Sequence, residues 1–143
     1  MHITKCVIVI FVCLSNGKGA IIKSMILHIV PEREWQTAVT GGVYHADSLA
    51  SEGFIHCSTR EQLLGTANNK FGGQQGLVVV CIDPNRVSAP IVYEDSYNSG
   101  QDFPHIYGPL DIEAVRAVFA FPPQEDGSFK IPDGAEWLCS EEQ

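Results

Sequence analysis

The chain has 143 residues, 45% hydrophobic and 18% charged, with a formal net charge of −8 and a pI near 4.9. That size and apolar content suit one soluble domain with a buried core. The basic residues are scattered and form no run, so the positive footprint that a phosphate backbone requires is missing, and nucleic acid is not expected as a main partner.

Residues 1–24 differ from the rest. Lys5 precedes a nine-residue apolar run from Cys6 to Leu14, followed by Ser15, Asn16, Gly17 and Lys18. A basic start and a short apolar run resemble a secretory signal, and the run is too short to span a bilayer. The small-residue cleavage pattern is poor, because Lys18 stands where a small residue is wanted. Every charge in the segment is a lysine (Lys5, Lys18 and Lys23), so all the acidic residues lie beyond residue 24. The expectation is a cytoplasmic domain starting near Met25, with residues 1–24 outside the fold. Export through that segment is the alternative.

Residues 25–30 read as a strand in which His28 interrupts Ile26, Leu27, Ile29 and Val30. Pro31 fits the first turn of a helix, and Glu32 and Glu34 stand where the helix dipole favours acid. Trp35, Ala38 and Val39 fall at helical spacing, and Gly41-Gly42 stops that helix. Asp47 or Ser48 is expected to cap a single turn ending at Gly53. Glu52-Gly53-Phe54-Ile55-His56-Cys57-Ser58-Thr59 then reads as a turn, a short buried strand and a helix start. Ser58 and Thr59 each precede Glu61 or Gln62 by three residues, a doubled capping-box pattern. The helix predicted from about residue 60 to 71 carries an apolar stripe of Leu63, Leu64, Ala67 and Phe71.

The unbroken apolar run over 77–82 predicts a central strand buried on both faces. Asp83-Pro84-Asn85 is a turn. Residues 91–94 form a strand ending on Glu94, and 95–102 a polar loop. Residues 103–110 are aromatic and proline-bounded, and read as a loop. Asp111 is expected to cap one turn before a last strand over 115–121. Residues 122–143 read as an irregular acidic tail into which Trp137 and Leu138 could dock. The fold class is α+β: a split, mainly antiparallel sheet of five or six strands with two main helices, over one domain spanning 25–121.

Cys6, Cys13, Cys57, Cys81 and Cys139 show neither CxxC nor zinc-type spacing. The apolar neighbours of Cys57 and Cys81 imply buried free thiols. Cys57 adjoins His56, but neighbouring strand residues point to opposite faces, which argues against a catalytic pair. A P-loop, a GxGxxG and a GxSxG elbow are absent.

A titratable ring at the end of a buried strand needs a partner. His28, His56 and His105 all occupy such contexts, with Glu94 beside Tyr93 and with Tyr107 after His105. Three chemistries can use this set. Histidine donors with an aromatic platform and a carboxylate suit ribosyl transfer, in which a positive oxocarbenium must be stabilised. The same patch could bind a nucleotide or small metabolite without reaction. Two histidines and a glutamate could hold a transition metal, although no HxH or HxxxH spacing supports that.

From Met25 onward the sequence resembles the domain of unknown function family 952. The residues that carry the resemblance are Ile26-Leu27-His28-Ile29, Glu52-Gly53-Phe54-Ile55-His56-Cys57-Ser58, Tyr93-Glu94 and Phe103-Pro104-His105-Ile106-Tyr107-Gly108-Pro109-Leu110. That family is remotely similar to the ADP-ribosyltransferase fold, notably its RNA 2′-phosphotransferase branch. Those enzymes carry a first-strand histidine, matched by His28, and a His-x-His-x-Ser motif, whose latter half matches His56-Cys57-Ser58. By that resemblance the cofactor is NAD, and His28 holds a ribose hydroxyl. His56 lines the nicotinamide pocket braced by Ser58, and Glu94 or His105 faces the reacting carbon. The expected cleft is lined by His28, His56, Glu94, His105 and Tyr107, with His56, Glu94 and His105 as catalytic residues and Tyr107 among those that bind the cofactor. Arg33, Arg60, Arg86 and Arg116 match no phosphate-holding pattern of that branch, so an RNA 2′-phosphate is not the expected substrate. The reading is an ADP-ribosyltransferase-like transferase with an unknown acceptor, or a binding domain on the same fold.

Overall fold

The structure, a computed structural model, describes residues 25–135. The signal-like segment, His2, Cys6, Cys13, Trp137, Leu138 and Cys139 lie outside the described residues.

The first strand, β1 (Ile26–Pro31), runs antiparallel to β4 (Leu77–Ile82), which also pairs antiparallel with β8 (Val115–Ala120). β4 is therefore central, and all six of its residues are buried, as an uninterrupted apolar run requires. Alternate side chains go to opposite faces and build two cores. Ile26, Val30, Val78, Val80 and Ile82 pack on one face with Trp35 and Ala38 of helix α1 (Glu32–Gly41). Leu27, Ile29, Val79 and Cys81 pack on the other with Leu63 and Ala67 of helix α3 (Arg60–Lys70). Val39, expected on the buried stripe of α1, is half exposed.

The second sheet orders β3 (Ile55–His56), β6 (Phe103–Ile106) and β5 (Ile91–Glu94), all antiparallel. A small pair, β2 (Val43–Tyr44) with β7 (Leu110–Asp111), completes the eight strands among the described residues. The count exceeds the expected five or six because β2 and β7, two residues each, are too short to show a period. β6 corrects the loop reading of 103–110. Pro104 argues against a central strand, since it cannot donate to a ladder. Its carbonyl accepts from Cys57 N–H at 3.0 Å, so its missing N–H falls on the side of β3, just beyond the end of that short strand, and the ladder to β5 stays whole.

Local chemistry sets the ends. Gly42 closes α1 in the left-handed conformation (φ +87°) and donates to the Ala38 carbonyl. Pro31 is the residue before α1 rather than its first turn. Short helix α2 (Asp47–Ser51) starts after Ala46, which has no side-chain acceptor, so it lacks a side-chain cap; Ser48 falls inside the helix and donates its hydroxyl to the Phe54 carbonyl at 2.6 Å. Gly53, at φ +92°, turns the chain into β3. Of the two capping boxes in the sequence, Thr59 with Gln62 is the one that forms. Asp111 precedes a 3-10 turn but spends its carboxylate on the Ser88 hydroxyl at 2.6 Å. Residues 122–135 are irregular, yet Phe129 stacks on Phe121 at 4.7 Å and Ala135 is fully buried.

The two larger sheets share the core on the α1 side, where Ile55, Cys57 and Ile106 join Ile26, Val80 and Ile82, and their backbones are bridged at one place. Leu27 and Ser58 exchange both backbone hydrogen bonds, each 2.8 Å, so the end of β3 is tied to β1. That exchange sets His28 beside His56. Replacing Thr59 by Ala removes the cap of the helix that follows at once, and is expected to lower unfolding free energy by about 1 kcal/mol in a urea titration.

Candidate functional site

A cleft of about 570 Å³ opens where the two sheets part. β1, β3 and β6 supply one wall, α3 a second, and the 95–102 loop a third. His28, His56 and His105 all line it, together with Ser58, Tyr97 and Phe103. Glu94 and Tyr107 do not line it; they stand behind His105.

His28 is buried and has both ring nitrogens engaged. Nδ1–H donates to the His56 carbonyl at 2.6 Å, which leaves Nε2 to accept from the Tyr44 hydroxyl at 2.8 Å. Burial drives its pKa down to about 4, so the ring is neutral. No nitrogen of His28 remains for a ribose hydroxyl; the ring is a post that fixes β3 against β1. Ser58 does not touch the His56 ring. Its backbone makes the bridge to Leu27, and its hydroxyl donates to Thr66 Oγ1 at 3.2 Å.

His56 and His105 are direct cross-strand partners in the β3–β6 register, and their rings meet edge to face with centroids 5.5 Å apart. Each is backed by a carboxylate that is itself held by a tyrosine. Nε2 of His56 lies 3.0 Å from Glu52, whose other oxygen accepts from the Tyr97 hydroxyl. Nδ1 of His105 lies 2.8 Å from Glu94, which also accepts from the Tyr107 hydroxyl. The tyrosine first and the histidine second hold each glutamate below the usual carboxylate range. The Glu52 carboxylate in turn pushes the Tyr97 phenol up to about 12. Phe54 stacks flat on His105, with centroids 4.0 Å apart and planes 16° from parallel. Among the described residues nothing bonds Nδ1 of His56 or Nε2 of His105.

The loop over the cleft is pinned at several points. The Asp95 carboxylate accepts from the backbone of Ser99 and Gly100 at 2.7 and 2.8 Å. Gln62 of α3 donates to the Asp102 carbonyl at 2.9 Å. Lys70 sits over the Tyr97 ring, 5.4 Å from its centroid, and is the one lysine or arginine among the described lining residues.

Sequence reasoning missed Tyr44, Glu52, Phe54 and Tyr97 as site residues. Tyr97 carried the readable signal, a large aromatic inside an otherwise polar loop. Cys57 and Cys81 are buried free thiols. Burial raises both, Cys81 to about 12, so neither is a thiolate near neutrality. No cluster of three His, Cys, Asp or Glu side chains able to hold a metal occurs among the described residues, and no helix among them is long and apolar enough to cross a membrane.

The buried neutral His28 makes stability pH-dependent. Its folded pKa is depressed from 6.5, so its contribution is whole above that pH and is lost as pH falls towards 4. The loss is on the order of 3 kcal/mol. Denaturation midpoints are expected to drop across that window, and His28→Gln should flatten the drop while lowering stability throughout.

The structure is similar to two solved structures of protein CC0527 from Caulobacter crescentus. The crystal structure is 28% identical with a TM-score of 0.72, over 82% of this chain and 100% of that one. The solution structure is 30% identical with a TM-score of 0.67, over 82% and 98%. No curated protein matches the chain. The family model described as "Protein of unknown function (DUF952)" matches residues 29–118, which takes in β1 from Ile29, strands β3 and β6 with His56 and His105, and most of β8. The chain therefore belongs to the DUF952 family.

Proposed function

We propose that the cleft binds a nucleotide, with NAD as first candidate, and that the protein is an ADP-ribosyltransferase-like transferase. One observation carries this reading: imidazoles from three separate strands, at positions 28, 56 and 105, share the wall of a single hollow. Its volume of about 570 Å³ falls among small-molecule sites. Tyr97 and Phe103 offer aromatic faces for a planar base or nicotinamide ring. His28 serves as scaffold in this reading, and His56 and His105 are the working pair. The carboxylates of Glu52 and Glu94 act through those imidazoles, making them electron-rich where positive charge builds on the ribose.

A non-catalytic nucleotide- or metabolite-binding domain is the second reading. It is favoured by the position of Glu94, whose carboxylate is occupied by His105 and Tyr107 instead of facing the cleft. The metal-dependent reading has no ligand cluster to support it among the described residues.

NAD at 100 times its Kd should stabilise the protein by about 2.7 kcal/mol, read as a rise in Tm. Tyr97 is 55% exposed, so Tyr97→Ala should leave the fold intact and weaken NAD binding about tenfold through loss of a stacking face. Nicotinamide release separates the two readings: the transferase produces it and the binding domain does not. An unchanged Tm with NAD, or undiminished affinity in Tyr97→Ala, would remove the nucleotide reading.

A further inference from the structure

The partners of His56 and His105 decide which nitrogen of each ring carries the proton. Glu52 and Glu94 are ionised carboxylates and can only accept. The nitrogen facing each of them must therefore be N–H: Nε2 of His56 and Nδ1 of His105. In the neutral form of each ring the other nitrogen is a bare lone pair, and both rings line the cleft. His105 is 2% exposed, yet its Nε2 has no partner among the described residues. A buried acceptor in that condition takes its hydrogen bond from a ligand or an ordered water. The cleft thus asks its ligand for hydrogen-bond donors at two places.

We propose that the acceptor in the transfer reaction is a hydroxyl, water or an alcohol, with His56 as its general base and His105 holding a second O–H of the bound ligand. This rests on the nucleotide reading above and names the acceptor that it leaves open. A carboxylate acceptor would bring no proton and would add an anion beside Glu61 of the lining, with Glu52 and Glu94 close behind the two imidazoles. A hydroxyl brings the O–H that a bare imidazole nitrogen accepts. His56 takes the base role because its side chain is 36% exposed and reachable by an incoming acceptor, whereas His105 is enclosed.

The step balances without a further reactant. The hydroxyl oxygen forms the bond to C1′ of the ribose. The bond from C1′ to the nicotinamide nitrogen breaks, its electron pair stays with that nitrogen, and nicotinamide leaves neutral. The hydroxyl proton passes to Nδ1 of His56. The resulting imidazolium already points its Nε2–H at Glu52, and the Tyr97 hydroxyl holds that carboxylate in place. Glu52 is then a positioning residue, the counterpart of the carboxylate that orients a catalytic histidine in hydrolase triads.

The test incubates the purified chain with NAD in buffer, and separately with added methanol, while Tm reports binding. The expected result is a Tm rise, equal release of nicotinamide and ADP-ribose, and diversion of part of the product to O-methyl-ADP-ribose by methanol. His56→Ala should lower turnover about 100-fold or more, retain the Tm rise, and abolish the rise of kcat/KM with pH that a general base produces. Glu52→Gln should lower turnover about tenfold and shift the His56 tautomer balance seen by 15N NMR. A Tm rise with no nicotinamide in either solution overturns the hydroxyl proposal and leaves nucleotide binding standing. Full turnover in His56→Ala or in Glu52→Gln overturns it as well. Absence of both Tm rise and turnover removes the nucleotide reading and this proposal together.

Discussion

The site depends on a pair of backbone hydrogen bonds. Leu27 and Ser58 exchange N–H and C=O at 2.8 Å each, and this is where β3 meets β1. Side chains of both sheets share the core on the α1 side of this bridge, and the cleft opens on the α3 side. His28 reinforces the junction with a hydrogen bond to the His56 carbonyl, and Tyr44 fixes the other side of that ring. The histidine of β1 is thus part of the frame. Its neutrality follows from burial, because a charged ring there would give up its solvation.

The acidic balance of the chain acquires a local meaning at this frame. Two glutamates from different elements each stand behind one imidazole, and a tyrosine hydroxyl braces each of them. A carboxylate in that position sets the tautomer, aims the ring and favours the imidazolium when it forms. The two assemblies differ in exposure. His105 is sandwiched under Phe54 and enclosed, whereas His56 stands at the mouth beside Tyr97. A pair of chemically matched rings with unequal access suits a division of labour, one ring holding the ligand and the other exchanging a proton. Family membership and the likeness to CC0527 extend the fold to a second protein, and neither carries a function with it.

Much of the architecture is legible in order along the chain. The apolar run 77–82 could only be a strand covered on both faces, and β4 is that strand. Leu63 and Ala67 mark the buried stripe of α3, and Thr59 with Gln62 marks its start. β6 escaped notice because Pro104 contradicts a central strand, and only the position of its carbonyl in the ladder shows why it is tolerated. β2 and β7 escaped because two residues have no period. Ser48 looked like a helix cap but falls inside α2, behind Ala46, and Asp111 takes the N-cap position of its turn with its carboxylate held by the Ser88 hydroxyl.

Read alone, the sequence determined the fold class, the two main helices, the central strand and the three histidines as polar rings in apolar strands. Those features depend on periodicity and burial, which act over a few neighbouring residues. Tertiary structure alone decided what each histidine does. His28 became scaffold because Tyr44 and the His56 carbonyl satisfy both of its nitrogens. His56 and His105 became a facing pair because the β3–β6 register sets them opposite each other. Glu94 was withdrawn from the cleft because His105 and Tyr107 stand within hydrogen-bonding reach of it. A ring nitrogen's role is set by whatever lies about 3 Å away: Glu52 is a local neighbour of His56, four residues back, whereas the partners of His28 and His105 stand 11 to 28 residues distant and are brought close only by the tertiary structure.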